Sequence, residues 1–114
     1  AAYAKLQSVA KGELAAEALY YDAYFKNKDG KFEASNTVVQ KLAKNYSGYK
    51  YFGAKGLILM AKNFYGLKDS FQATYILESV IKNFTDFPDV VSEAQKELDA
   101  IKNEEAKTNS SVTN

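Results

Sequence analysis

The chain has 114 residues, 46% of them hydrophobic and 14% aromatic, and this size and composition suit one compact domain with a sizeable core. It contains no cysteine and no histidine, which excludes disulfides, thiolate nucleophiles and cysteine metal sites and removes the commonest general base and metal ligand. The 15 basic and 14 acidic residues leave a net charge of +1, so no strong field would draw the chain to nucleic acid or to an anionic membrane. No apolar run approaches the roughly 20 residues that a membrane-spanning helix needs.

Apolar residues at helical spacing, glycine-containing breaks and a single proline predict an all-α chain of about six helices. In chain order, the predicted helices cover residues 2–10, about 13–27, 32–46, 49–66, a stretch after 69 that ends near 84, and about 88–107. Gly12 is expected to close the first helix. The second helix carries an apolar set at helical spacing, namely Leu14, Ala18, Tyr21 and Phe25.

The last two helices carry start signals. Asp69 and Gln72 have the spacing of a capping box, with an acidic cap in place of Ser or Thr. Asp86 and Pro88 mark the start of the sixth helix, and Asp89 adds negative charge in its first turn, where it complements the helix dipole.

A short phrase occurs three times and predicts a stack of repeats. Its copies begin at Ala2, Ser35 and Ala73, which gives steps of 33 and 38 residues, and each continues with two apolar residues at the fifth and eighth positions. A second phrase matches residues 23–25 with residues 63–65, a step of 40. Self-similarity at periods of 20 to 50 residues is typical of stacked repeat architectures.

The predicted helices differ in how much of their circumference is apolar. The fourth is apolar nearly all round through residues 57–61, which predicts packing on both sides. The sixth keeps only one apolar stripe, formed by Val91, Ala94, Leu98 and Ile101, as expected of a terminal cap. Because the chain opens inside an apparent helix without an initiator Met, we expect residues 1–107 to be a repeat domain cut from a longer polypeptide. Residues 108–114 are expected to form a polar tail that frays.

The positions of small and large residues resemble those of the tetratricopeptide repeat (TPR) family over nearly all of residues 2–107. In that family, each repeat is a hairpin of helices A and B of about 34 residues. Ala61 and Phe64 match helix-A positions, and Pro88 matches the terminator. The matches to helix B are Ala73, Leu77 and Val80.

The first repeat matches less closely. It offers the family-like residues Tyr24, Ser35, Val39 and Leu42. However, Tyr21 occupies the usual small position, Ser47 stands near the expected proline, and Gly30-Lys31 adds a pair to the turn. The resemblance implies a right-handed solenoid with a leftover helix B, two complete hairpins and a capping helix. The Glu-Ala helix openings and the Phe-Gln-Ala-Thr turn are similar to those in the C-terminal repeats of large TPR proteins of Bacteroidetes-like bacteria. This similarity implies a parent protein of the periplasm or cell envelope.

Several signals for chemistry have simpler interpretations. Glutamates four residues apart, at 13 and 17 and at 93 and 97, could serve acid–base catalysis or bind a cation, but they lack a third ligand and suit a solvated helix face. Ser-x-x-Lys at 8–11 and 79–82 lacks the companion motifs of serine enzymes and follows from the repetition. The Asn-x-Ser/Thr sequences at 45, 83 and 109 are glycosylation patterns that a bacterial protein would not use. Aromatic and lysine residues interleaved over 46–55 could bind single-stranded nucleic acid, although core rings with solvated lysines are favoured.

The concave groove is the preferred candidate for binding. In the resembling family it is lined by helix-A residues off the core stripe, and the 40-residue step assigns it Asp22, Phe25, Lys26, Lys55, Lys62 and Tyr65. Two ammonium groups beside an aromatic ring could hold an acidic peptide. The sequence therefore predicts a non-catalytic module that binds a peptide or partner helix in this groove or at its N-terminal edge, without a cofactor or metal ion.

Three other functions remain open. The repeats could be a structural spacer that terminates a longer rod. An apolar face exposed on the first hairpin could drive homodimerisation. An enzyme that uses carboxylates alone would require acidic side chains converging from different helices, and the spacing does not predict this. Binding to nucleic acid and direct insertion into a membrane are not expected.

Overall fold

The structure, a computed structural model, describes the backbone of residues 2–113 and the side chains of residues 11–108. Residues 2–113 form five helices, namely α1 (Ala2–Lys28), α2 (Phe32–Asn45), α3 (Lys50–Gly66), α4 (Ser70–Asn83) and α5 (Pro88–Thr113). The all-α prediction is confirmed, and the number of about six helices is one too many. The first copy of the repeated phrase, at residues 2–9, and the sequence at Asn109 lie outside the described side chains.

The two helices predicted at the N-terminus are one continuous helix. Gly12 lies inside α1 and does not end a helix. Its lack of a side chain instead permits a close contact with Tyr49. A Cβ atom at this position would stand 2.0 Å from the Tyr49 hydroxyl oxygen and 2.7 Å from the ring carbon that carries it. The missing side chain thus makes room for an aromatic ring from the α2–α3 turn.

Signals at the other helix ends have mixed outcomes. The Asp69 carboxylate accepts a hydrogen bond of 3.1 Å from the Gln72 backbone N–H, so the predicted cap of α4 is confirmed, and α5 begins at Pro88 as expected. However, α5 continues to Thr113, beyond the predicted end near 107. No glycine or proline follows Pro88 to stop the helix, and the Thr108 hydroxyl donates back to the Glu104 carbonyl at 3.1 Å.

The α1–α2 and α3–α4 turns have the same geometry at a step of 38 residues. Gly30 and Lys68 both have positive φ, 77° and 71°. The backbone N–H of Lys31 donates to the carbonyl of Lys26, and that of Asp69 to Phe64, each at 2.8 Å. These bonds cap both helix ends in the same way. Gly30-Lys31 is therefore not an extra pair, as the sequence suggested, because both turns have equal length.

The same 38-residue step relates the buried residues of the two hairpins. Six pairs of core residues correspond, namely Ala16/Ala54, Tyr20/Ile58, Ala23/Ala61, Ser35/Ala73, Val39/Leu77 and Leu42/Val80. The small residue of the first hairpin is therefore Ala23, and Tyr21, which the 40-residue step placed there, is exposed. The aromatic match at step 40 thus misplaced the first helix by two residues.

Each helix packs against the next, and the odd-numbered helices also contact one another in a row. α3 touches all four other helices, so the prediction that it is covered on both sides is confirmed. Contacts from Tyr20 to Phe52 and from Asn27 to Asn63 show that α1 and α3 run parallel. α5 packs mainly on α4, through Val90, Ala94, Leu98 and Ile101. Val90 thus takes the place expected for Val91, which is only half-buried.

A buried amide network joins the first three helices. The Asn63 side chain is fully buried, and its amide nitrogen donates to the Ser35 hydroxyl and to the Asn36 side-chain oxygen, both at 2.8 Å. Its oxygen accepts from the Asn27 amide at 2.8 Å, and Ser35 donates to the Ala23 carbonyl at 2.7 Å. Every buried polar side-chain atom among residues 11–108 has a partner. This network fixes α3 in register against both helices of the first hairpin.

The equivalent turns yield a stability prediction. Lys68 has the left-handed backbone conformation, which costs an L-residue about 1–2 kcal/mol and costs glycine almost nothing. Lys68→Gly should therefore raise the free energy of unfolding by about 1 kcal/mol, as measured in urea, and Gly30→Ala should lower it by a similar amount. The same sign of change in both variants would contradict the equivalence of the two turns.

A second pair of variants tests the role of Gly12. Gly53, in the first turn of α3, has no atom within 4 Å of an added Cβ, so Gly53→Ala should stabilise the fold by about 0.5–1 kcal/mol through helix propensity. Gly12→Ala should destabilise it, because displacing the Tyr49 ring costs about 1–3 kcal/mol and outweighs that gain. Stabilisation by both variants in thermal unfolding would show that the ring does not depend on Gly12.

Candidate interaction surfaces

The predicted groove lysines on α3 are paired with acidic residues of α5. Lys55 lies 3.8 Å from the Glu93 carboxylate, and Lys62 lies 3.3 Å from that of Glu97. Glu93 and Glu97, which the sequence suggested to lie on a solvated helix face, thus pair with the two lysines of α3. An acidic peptide would therefore compete with these carboxylates for both lysines.

Aromatic residues continue this row of contacts between α3 and α5. The Tyr51 hydroxyl donates to the Asp89 carboxylate at 2.8 Å, and this hydrogen bond is the main reason why the pKa of Tyr51 is raised. The pKa of Tyr65 is also raised, first by desolvation and then by the charges of Glu104 and Glu105. The α3 edge of the predicted groove is therefore an internal contact with α5 along most of its length.

Lys55 also joins α1 to this row. Its ammonium nitrogen lies 5.5 Å from the centre of the Tyr20 ring and 5.9 Å from that of Tyr51, both within cation–π range. Burial of the Tyr20 hydroxyl, followed by the charge of Glu93, raises its pKa to about 12. These contacts link the parallel helices α1, α3 and α5. They involve Lys55, one of the two lysines that the sequence predicted to bind a peptide.

The α1 members of the predicted groove are out of register with its α3 members. Asp22 and Lys26 form an ion pair with each other along α1, and the Phe25 side chain is exposed. At the observed step of 38, these three residues correspond to Met60, Asn63 and Phe64, and not to the groove positions Lys55, Lys62 and Tyr65. The six predicted residues therefore do not occupy equivalent positions of α1 and α3.

The largest exposed apolar feature among residues 11–28 of α1 is a stripe that we call the α1 stripe, formed by Leu14, Ala18, Tyr21 and Phe25. The exposed fractions of its three large side chains are 65% for Leu14, 48% for Tyr21 and 61% for Phe25. These residues recur every three or four positions, so they line one side of the helix. This is the apolar set from which the sequence predicted the helix, and it lies on the surface of the described chain.

The corresponding face of α3 is covered. The 38-residue step relates the α1 stripe to Phe52, Gly56, Leu59 and Asn63. A Cβ on Gly56 would lie 3.2 Å from Leu42, and Leu59 belongs to the core cluster that contains residues of α1 and α2. On α3, this face thus packs against two antiparallel helices of the preceding hairpin. The α1 stripe is the same face with its side chains exposed.

A second pair of exposed aromatic residues lies on α4. Phe71 is 77% exposed and Tyr75 is 64% exposed, and they are four residues apart, as Tyr21 and Phe25 are. Their counterparts on α2 are Glu33 and Thr37. This pair has no apolar neighbour one further turn along α4, where Glu78 and Ser79 follow. It is a matched comparison for the α1 stripe.

The remaining sequence signals find structural explanations. Rings from the interleaved aromatic segment pack against one another, including Tyr46 with Tyr49 at 6.2 Å. The Ser79 hydroxyl accepts a hydrogen bond from Asn83 at 3.1 Å and is not bonded to Lys82. No cluster of three acidic side chains that could hold a metal ion occurs in the described residues, and none of their helices is long and apolar enough to cross a membrane.

The raised pKa of Tyr20 predicts a loss of stability in alkali. The folded state keeps the phenol neutral up to about pH 12, whereas the unfolded chain ionises near pH 10. This contribution is therefore complete below about pH 10 and is lost as the pH rises through about 12. Tyr20→Phe should flatten the fall in urea stability over this interval, and Tyr75→Phe, at an exposed ring, should not. Equal slopes in both variants would contradict the assignment.

Comparisons with known proteins offer no relative from which to transfer a function. No family model matches the chain, and no curated protein or solved structure matches it.

Proposed function

We propose that this chain is a non-catalytic, TPR-like module for protein–protein interaction, and that it docks a partner helix on the α1 stripe. The exposure of Leu14, Tyr21 and Phe25 on the face that α3 buries against two helices is the observation that carries this proposal.

Three features support a TPR-like solenoid. Helices alternate in direction, and the odd-numbered ones contact each other in a parallel row. Small residues recur where two helices of a hairpin meet, at Ala23 and Ala61. The outer side of α5 is polar, as suits the final cap of a right-handed stack. The period of 38 residues is four longer than the 34 of TPR units.

The α1 stripe suits a partner better than the predicted groove does. Lys55 and Lys62 already have carboxylate partners on α5, so an acidic ligand would gain little there. The stripe instead offers two aromatic rings and a leucine along about three turns of one helix. Aromatic side chains of this kind are common anchors of interfaces, and i, i+4, i+7 spacing matches the side of a second helix.

Docking on the stripe would be driven by burial of apolar surface. Fully burying a large apolar side chain contributes about 1.5–3 kcal/mol, and the three large side chains are about half exposed. The Asp22–Lys26 ion pair beside the stripe could remain in place at the rim. The recognition would therefore depend on shape and apolar area more than on charge.

A structural spacer is the second candidate. If a further helical hairpin of the same polypeptide covered the stripe, it would repeat the way in which α1 and α2 cover α3. In that case the stripe would extend a rod and would not recruit a separate protein. The two candidates differ in whether a partner in solution depends on the stripe.

A capture experiment with matched variants tests the proposal. The chain is immobilised and exposed to lysate of its source organism, beside Tyr21→Ser/Phe25→Ser and the control Phe71→Ser/Tyr75→Ser. Both double variants remove one tyrosine and one phenylalanine ring that are exposed and four residues apart, so they match in the side chains lost. We expect a partner that the parent and the control retain and that the stripe variant loses, with helicity unchanged in circular dichroism.

Other outcomes are equally informative. A partner retained by the stripe variant and lost by Lys55→Ala/Lys62→Ala/Tyr65→Ala would move the contact to the predicted groove. Loss from both double variants would indicate nonspecific adsorption to aromatic rings. A chain that captures no partner under any condition and does not self-associate through the stripe would favour the spacer.

A further inference from the structure

We infer that the partner helix on the α1 stripe is the same stripe of a second copy, in an antiparallel two-fold pair. This inference rests on the proposed use of the stripe as a contact face and names its occupant. It depends on the order of side chains along α1 and on the polarity of the opposite end of the molecule.

The stripe is complementary to itself when two copies run antiparallel. About a two-fold axis between residues 19 and 20, position numbers that add to 39 face each other. Ala18 then faces Tyr21 of the second copy, and Leu14 faces Phe25. The small side chain meets a large ring at the centre, and an aliphatic side chain meets an aromatic one at each end. A parallel pair would oppose Phe25 to Phe25 and leave the space over Ala18 unfilled.

The outer side of α5, at the opposite end of the molecule, is not a suitable binding surface for the α1 stripe of another copy. The outer side of α5 carries exposed polar and charged side chains, namely Ser92, Gln95, Lys96 and Asp99. Seating the stripe on them would remove charges from water without partners, at a cost of several kcal/mol per ion. Head-to-tail stacking is therefore disfavoured, and the net charge of +1 opposes a two-fold pair only weakly.

The area of the stripe predicts a weak pair. The exposed parts of its three large side chains amount to roughly 350 Å² per copy, against about 800 Å² per partner in a standard stable interface. We therefore expect a dissociation constant on the order of 0.1–1 mM. Because so weak a dimer is only partly populated, the test must trap it covalently.

Single cysteines provide this test, because the chain has none of its own. In the antiparallel pair, the two Ala18 Cα atoms would be offset by only about 4.5 Å along the helix, within reach of a disulfide. The two Leu14 Cα atoms would be about 16 Å apart. Ala18→Cys, Leu14→Cys and the exposed control Tyr75→Cys are each oxidised with glutathione disulfide at high protein concentration, and dimers are scored on non-reducing gels.

The expected result is that Ala18→Cys forms dimers about tenfold faster than Leu14→Cys and Tyr75→Cys, because association raises the effective concentration of its thiol alone. Adding Tyr21→Ser/Phe25→Ser to Ala18→Cys should reduce its rate to that of the control. Equal rates for Ala18→Cys and Leu14→Cys would overturn the antiparallel arrangement. Equal rates for Ala18→Cys and Tyr75→Cys would overturn self-association on the stripe.

Failure of this inference is distinguishable from failure of the proposed function. If Ala18→Cys reacts no faster than Tyr75→Cys while the capture experiment still gives a stripe-dependent protein, the stripe binds a different partner and only the second-copy assignment is wrong. If no stripe-dependent capture occurs either, the interaction function itself is wrong. Sedimentation equilibrium of the unmodified chain at millimolar concentration supplies an independent check of the expected dimer.

Discussion

The buried amide of Asn63 is the contact on which the arrangement of the helices depends. Its donor and acceptor bonds reach Ser35, Asn36 and Asn27, so three helices must be in one register for all of them to form. A buried polar group left unpaired costs about 1–3 kcal/mol, and a shift of α3 by one residue would leave several unpaired. Apolar packing alone would tolerate such a shift more readily. The network therefore determines which face of α1 meets α3 and, by exclusion, which face becomes the α1 stripe.

Features set by local chemistry could be predicted from the sequence. The phrase that begins at Ser35 and Ala73 lies at equivalent buried positions in α2 and α4, because small residues are needed wherever two helices approach closely. The cap at Asp69 and the start at Pro88 depend on residues within one turn of the helix end, and both were found. The even-numbered helices were thus placed correctly from their own residues.

Features set by tertiary contacts were not predictable in the same way. Gly12 resembled a terminator because the ring that occupies its space comes from Tyr49, 37 residues later. The first helix was placed two residues out because matching aromatic residues at step 40 outweighed the small residue Ala23, whose role depends on its contact with α2. Lys55 and Lys62 appeared free because a sequence does not show that two glutamates of α5 lie beside them. In each case the missing information was a partner distant in the chain.

The α1 stripe shows why periodicity alone does not separate a core face from an exposed apolar face. Its spacing predicted the helix correctly, and the same spacing describes the face that α3 buries, but Tyr21 and Phe25 stand where α3 has Leu59 and Asn63. Since Phe25 replaces the amide that holds α3 in register, a helix on the α1 stripe has no buried hydrogen bond to satisfy. Its alignment would depend on the fit of large side chains over Ala18 alone. A contact of this kind forms and dissociates without leaving a polar group unpaired, which suits association between separate molecules better than permanent packing within one core.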